Sequence, residues 1–402
     1  MKIKKHSFIS LIFITIALSL VIFIFYFFIF NNSRYNPKTK VINVYNWGEY
    51  ICDGSNGSIN VNNEFEKITG IKVNYNTFAS NEESYARLKN RSANHDVIIL
   101  SDYMISRMIS ENMLQPLDLK KIPNFDNIDD KFKNLEFDPQ NSYSVPYTWG
   151  TIGIIYNKKM VHKQVDSWNI LWDEDFAGKI LMPSTPRDVF GVALKRLSYS
   201  LNTTDKNELL EAANSILEQK KLVQGYFMDE MFNKMESEEA WITTYHSGDA
   251  IIMMKENPNL AFCHPKEGTN KFVDSLCIPK DASNIYGAHM YINFMLEPEI
   301  SLANTKYIGY STPNKLAFEM LPDEQRNNPI AYPDDTILDK SEVFINLPAN
   351  INEFIDLEWM RIMSINSIKR KWIMPVLLLL TFLVSIAINI FRKFAKNRRS
   401  SL

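Results

Sequence analysis

Asp96-Val97-Ile98-Ile99-Leu100-Ser101 sets four consecutive aliphatic side chains between polar ends. A strand with one wet face alternates apolar and polar residues; an unbroken short run is the mark of a strand covered on both faces, as in parallel sheets. Working outward, Ser80 and Glu83 have capping-box spacing at the start of a helix through Tyr85 and Leu88. Before that helix, Ile71–Thr77 reads as a strand, and Gly70 stops a helix carrying Glu64, Phe65 and Ile68. Val41–Tyr45 is the first strand of the series. On the other side, Ser101 is placed to cap a helix ending near Asn112. Strand–helix–strand–helix–strand in this order predicts an open α/β sheet. Beyond Pro146 the pattern restarts at Thr151–Tyr156, without internal repeat or low-complexity linker, so two α/β units joined by short crossings are expected. The chain of 402 residues has room for both.

The two ends differ in composition from this body. Phe8 to Phe30 contains no charged residue over 23 positions and follows Lys2, Lys4 and Lys5. At about 1.5 Å per residue it spans a hydrocarbon core of about 30 Å. It exceeds the apolar core of a cleaved leader and lacks a small-x-small site after it, so the reading is an uncleaved signal anchor. Ile373 to Phe391 is a second uncharged run, bracketed by Lys369, Arg370 and Lys371 and by Arg392, Lys393, Lys396, Arg398 and Arg399. Two spans with basic outer flanks place the termini in the cytoplasm and the body outside.

Setting aside residues 1–40 and 369–402, which hold basic residues and no acidic ones, the body carries 30 basic and 46 acidic side chains, a net charge of −16. That balance argues against a nucleic-acid partner and suits a cationic ligand. Cys52, Cys263 and Cys277 are too few for a disulfide framework. Cys263 and Cys277 have the chance to pair outside a cell, but buried free thiols are the expected state.

Open α/β sheets bind ligands at the carboxyl ends of strands. Trp47, Glu49 and Tyr50 follow the first strand, and Ser101, Asp102 and Tyr103 the third. Arg187-Asp188-Val189-Phe190 opens a helix, while His246 and Asp249 follow a strand at Trp241–Thr244. Phe272 and Asp274 lie just ahead of another expected strand, and Tyr310 lies in a turn before Pro313. Carboxylates and rings together are what a polyamine needs. Each ammonium requires an acid or a ring face, and the methylenes require apolar walls; a ring supplies wall and cation–π attraction, about 0.5–2 kcal/mol per contact. Taken singly, Asp188 also suits a helix dipole, His246 a hydrogen-bonded core position and Tyr310 a filled turn.

Longer motifs carry a resemblance. Tyr45-Asn46-Trp47-Gly48-Glu49-Tyr50, Ser144-Val145-Pro146-Tyr147-Thr148-Trp149-Gly150, Ser167-Trp168-Asn169-Ile170-Leu171-Trp172, Pro265-Lys266-Glu267-Gly268, Val273-Asp274-Ser275-Leu276 and Ile308-Gly309-Tyr310-Ser311-Thr312-Pro313-Asn314 together resemble the spermidine/putrescine-binding proteins of bacterial ABC importers, from about Val41 to Met363. The resemblance implies a two-lobed periplasmic-binding-protein-like α/β fold of type II. Lobe 1 would comprise 41–150 plus 274–318 and lobe 2 151–273 plus 319–368, with transmembrane helices at 8–30 and 373–391. It implies ligand contacts at Trp47, Glu49, Tyr50, Ser101, Tyr103, Asp188, His246, Asp249, Phe272, Asp274 and Tyr310. Partners would be a polyamine and ABC permease subunits served by an ATPase on another chain.

Two positions depart from the family pattern. Thr185 replaces an acid, and Phe344 stands where a polar side chain often meets an amine, which leans the reading towards a diamine. A tethered polyamine sensor without transport is the alternative. No G-x-S-x-G, H-E-x-x-H, C-x-x-C or P-loop pattern proposes an enzyme, and no cofactor or metal is expected.

Overall fold

The aliphatic run that opens the sequence reading lies at the centre of a sheet, and its neighbours explain why it carries no polar residue. The computed structural model describes residues 40–90, 94–365 and 381. Its strands are β1 Val41–Trp47, β2 Lys72–Phe78, β3 Val97–Ser101, β4 Ser144–Asn157, β5 Ile180–Pro183, β6 Val223–Phe227, β7 Ile242–His246, β8 Leu260–Cys263 and β9 Lys271–Cys277. The longer helices are α1 Val61–Thr69, α2 Asn81–Lys89, α3 Asp102–Ser110, α4 Pro186–Arg196, α5 Lys206–Gln219, α6 Glu230–Glu236, α7 Ser247–Glu256, α8 Ile285–Met295, α9 Pro298–Ile308 and α10 Ala349–Ser364.

The first half of the sheet runs β2-β1-β3-β9-β4. β1 is parallel to β2 and β3, whereas β9 runs antiparallel to β3 and β4. In the second half β4 pairs with β7 and β8, and β5 lies parallel to β6 and β7. Val97, Ile98, Ile99 and Leu100 are essentially inaccessible, as their composition requires.

Local signals explain several elements. Ser80 accepts the Glu83 N–H at the start of α2, while the Glu83 carboxylate takes the Ala79 N–H at 3.0 Å. Gly70 ends α1 at φ 71, a left-handed conformation natural to glycine. Ser101 precedes α3 without capping it through its side chain. Two further expectations change. The strand read from Thr151 is the second part of β4, which begins at Ser144 because this segment is buried along nearly its whole length and pairs with β9 despite Pro146. Phe272 and Asp274 belong to β9 itself, with no strand following them at once.

Two main cores result. Ile42 through Trp149, rejoined by Phe272 through Tyr310, form one; Ile152 through Ile242, with Leu347 through Ile362, form another. The chain passes between them at three adjacent points. Ile152 N–H donates to Asn270 O at 3.1 Å, Lys271 N–H to Glu342 O at 2.9 Å and Glu342 N–H to Thr269 O at 2.9 Å. The expected third passage at 318/319 comes later. Tyr332 and Leu338 still pack on the first core, and Leu347 joins the second.

Among the described residues no helix is long and apolar enough to cross a membrane. The spans expected at 8–30 and 373–391 lie outside the described residues, apart from position 381. Cys52, Cys263 and Cys277 are free thiols.

Candidate binding cleft

The carboxyl ends of β1, β3 and β7 face a common cleft of about 670 Å³ between the two cores, within the usual range for small-molecule sites, roughly 300–1,000 Å³. Trp47, Glu49, Tyr50, Ser101, Tyr103, Asp188, His246, Asp249, Phe272, Asp274 and Tyr310 all line it. At its mouth the two halves also come near each other: a Cβ on Gly48 would stand 3.6 Å from Asp229 Oδ2.

The first carboxylate meets a loop tied down by hydrogen bonds. Asn46 Nδ2 and the Tyr147 hydroxyl both donate to Tyr50 O, at 3.2 and 2.9 Å. The fixed Tyr50 then donates its hydroxyl to Asp274 Oδ2 at 2.6 Å and stands 2.7 Å from Thr148 Oγ1. Asp274 is central in β9, opposite Ser101 of β3 and Thr148 of β4, and 4% exposed. Its other oxygen, Oδ1, is buried without a hydrogen-bond partner. Burial raises the Asp274 pKa, against the Tyr50 hydroxyl, the Ser101 side chain, which is near without reaching hydrogen-bonding geometry, and His246; nearby Asp188 adds to the rise.

Rings enclose this carboxylate. Tyr50 meets Tyr310 edge-on at 4.9 Å, Phe272 meets Tyr310 at 6.0 Å, and His246 meets Phe272 at 5.2 Å and 85°. Tyr310 donates to Asp249 Oδ2 at 2.7 Å, which His246 Nδ1 approaches to 3.4 Å. Gly248 makes this contact possible, because a Cβ there would fall 2.2 Å from the Tyr310 ring. Trp47 forms another part of the wall, leaning on Phe78 at 4.7 Å with its indole N–H unpaired. Glu49 stands exposed at the cleft, at φ 50.

The opposite end is differently charged. Asp188, in the first turn of α4, accepts the Thr185 hydroxyl. Tyr103 donates to Glu82 Oε1 at 2.9 Å and accepts from Asn81 at 3.1 Å. Arg187 lies 4.6 Å over the Phe344 ring and donates to Asn202 Oδ1 at 3.0 Å. Burial brings its pKa down to about 10, against the support of Tyr103, Asp188, Asp102 and Glu82. Asp102 is buried at the base and raised to about 8 by desolvation, although Tyr103 and Val273 N–H groups bind its two oxygens.

Glu82 and Arg187 were not singled out from sequence. Arg187 stood beside Asp188 in a motif already noted, whereas Glu82 reads as one more acid in the first turn of a helix.

The family described as bacterial extracellular solute-binding protein matches residues 92–341. The spermidine/putrescine-binding periplasmic protein of Escherichia coli (strain K12) is 37% identical over 300 residues, covering 74% of this chain and 84% of that protein. The chain belongs to the bacterial extracellular solute-binding proteins. Among solved structures, a putative spermidine/putrescine ABC transporter from Listeria monocytogenes is 39% identical with a TM-score of 0.77, covering 81% of this chain and 99% of that one. The spermidine/putrescine ABC transporter substrate-binding protein PotD from Streptococcus pneumoniae is 36% identical with a TM-score of 0.69, covering 80% and 98%. The putrescine-binding periplasmic protein SpuD of Pseudomonas aeruginosa (strain UCBPP-PA14) is 30% identical over 344 residues, covering 81% of this chain and 92% of that protein.

Proposed function

We infer that this chain is the extracytoplasmic polyamine-binding component of an ABC importer, capturing its ligand between two lobes and presenting it to permease subunits. The unpaired, buried Oδ1 of Asp274 inside a ring-lined cleft carries the reading. An ammonium ion placed there supplies the missing hydrogen bonds and the opposite charge, while Tyr50, Phe272 and Tyr310 wall the methylenes. Asp188, Asp249 and Glu49 offer acids for the remaining ammonium, from both sides of the cleft. Binding that bridges both halves favours the closed form, which is the form a permease can recognise.

A diamine fits better than a longer amine. Thr185 brings a hydroxyl that is spent on Asp188, and the Phe344 ring is already covered by Arg187. Neither supplies a carboxylate for a third ammonium. The uncharged runs at 8–30 and 373–391 support tethering of the body on the outer membrane face, near its permease, which raises effective concentration.

Titration calorimetry on the full-length protein compares putrescine, spermidine and 1,4-butanediol, the uncharged analogue of putrescine. Putrescine gives saturable heat, spermidine binds more weakly and the diol gives none. Equal binding of diol and diamine defeats the charge-based reading.

A further inference from the structure

His246 is a titratable ring in a wall whose other members, Tyr50, Phe272 and Tyr310, stay neutral at physiological pH. It sits at the end of β7 ahead of α7, with its side chain about a quarter exposed to the cleft. Its Nδ1 reaches to 3.4 Å of Asp249 Oδ2, an oxygen that already accepts the Tyr310 hydroxyl. We propose that His246 makes the affinity of this cleft for cationic ligands depend on pH: neutral, its ring is a wall; protonated, it claims Asp249 and repels an ammonium. The inference rests on the polyamine reading and adds the regulation of that same site.

The surroundings favour the charged ring. Asp249 comes from α7, Asp188 from α4 and Asp274 from β9, while Tyr245 precedes it on β7 and Tyr310 follows α9. Arg187, Lys255 and Lys306 line the same cavity and are the cations it shares. Burial works against protonation, but the Asp249 contact and the fields of Asp249, Asp188 and Asp274 outweigh it and hold the imidazole above the ordinary histidine range.

Docking a ligand ammonium reverses this balance. The new positive charge draws on the same carboxylates, so the His246 pKa falls in the complex. By linkage, ligand is bound less tightly by the protonated protein, and affinity rises with pH between the bound and free pKa values. One unit between those values is a tenfold change in Kd. Carboxylates work in the same direction, since Asp274 and Asp102 are also raised, so a pH slope by itself does not single out the histidine. Removal of the titrating ring does.

The test is calorimetry with putrescine on the full-length protein at about pH 6, 7 and 8, for the wild type and His246→Tyr, with NMR titration of the wild-type histidine Cε1 protons. Wild-type Kd tightens about tenfold more across this range than that of the variant, whatever their absolute affinities. The His246 resonance titrates at lower pH when putrescine is bound. Parallel slopes in the two proteins, or a His246 pKa unmoved by putrescine, overturn the inference while leaving polyamine binding intact. Absence of putrescine binding at every pH in the wild type overturns both.

Discussion

A buried aspartate stands beside each end of β3, Asp96 just before it in the chain and Asp274 on the neighbouring β9, and the two are treated differently. At its entry, Asp96 is inaccessible to solvent and saturated. It accepts from Asn43 N and Nδ2, from Ser283 N and Oγ and from Asn284 N. At the exit, Asp274 lies opposite Ser101 with one oxygen bonded to Tyr50 and the other unpaired. Asp138, elsewhere in the first core, follows the pattern of Asp96, with three backbone N–H groups and the Ser144 hydroxyl around it. A carboxylate that knits loops together consumes its acceptor capacity inside the fold. One that waits for a cation retains it. The unspent lone pair, more than burial or sequence neighbourhood, separates structural acids from candidate binding acids here.

That contrast can be broken by substitution. Asp96→Ala leaves N–H groups of three residues without their acceptor, at about 1–3 kcal/mol each, so denaturant unfolding should show a loss of about 4 kcal/mol. The folded fraction should bind putrescine normally. Asp274→Ala should do the reverse, weakening putrescine by about 3 kcal/mol, roughly two orders of magnitude in Kd, with unfolding free energy unchanged or higher. If calorimetry and unfolding instead show both variants failing in the same assay, the division between knitting and waiting acids is wrong. Tyr50→Phe gives the smallest effect. Loss of one hydroxyl donor to Asp274 should cost about 1 kcal/mol of binding, near fivefold in Kd, and an unchanged Kd would mean that Tyr50 does not orient that carboxylate.

How far the sequence reveals this depends on whether a feature is local. The strands at Val41 and Val97 and the start of α2 follow from periodicity and capping chemistry, which act over a few residues. The continuity of β4 does not, because Pro146 reads as a breaker until a buried, bulged pairing with β9 accommodates it. The passage at Glu342 joins segments far apart in sequence, through backbone hydrogen bonds and through Asn270 and Lys195, which no local pattern announces. In the cleft, rings next to acids were visible as motifs at strand ends. Whether an acid was saturated was not, since the donors to Asp96 come from positions as distant as Ser283. The cationic Arg187 escaped for a similar reason. Its ring partner Phe344 is far along the chain.

The three passages at Ile152, Asn270 and Glu342 lie side by side, joined by main-chain bonds into a narrow ribbon. A ribbon folds readily about the line across its width and resists shear and twist. Any hinge motion between the halves therefore turns on this ribbon, with Gly48 and Asp229 on the two facing sides. On the proposed reading the hinge works as a calliper, with the length of the guest setting how far the jaws travel.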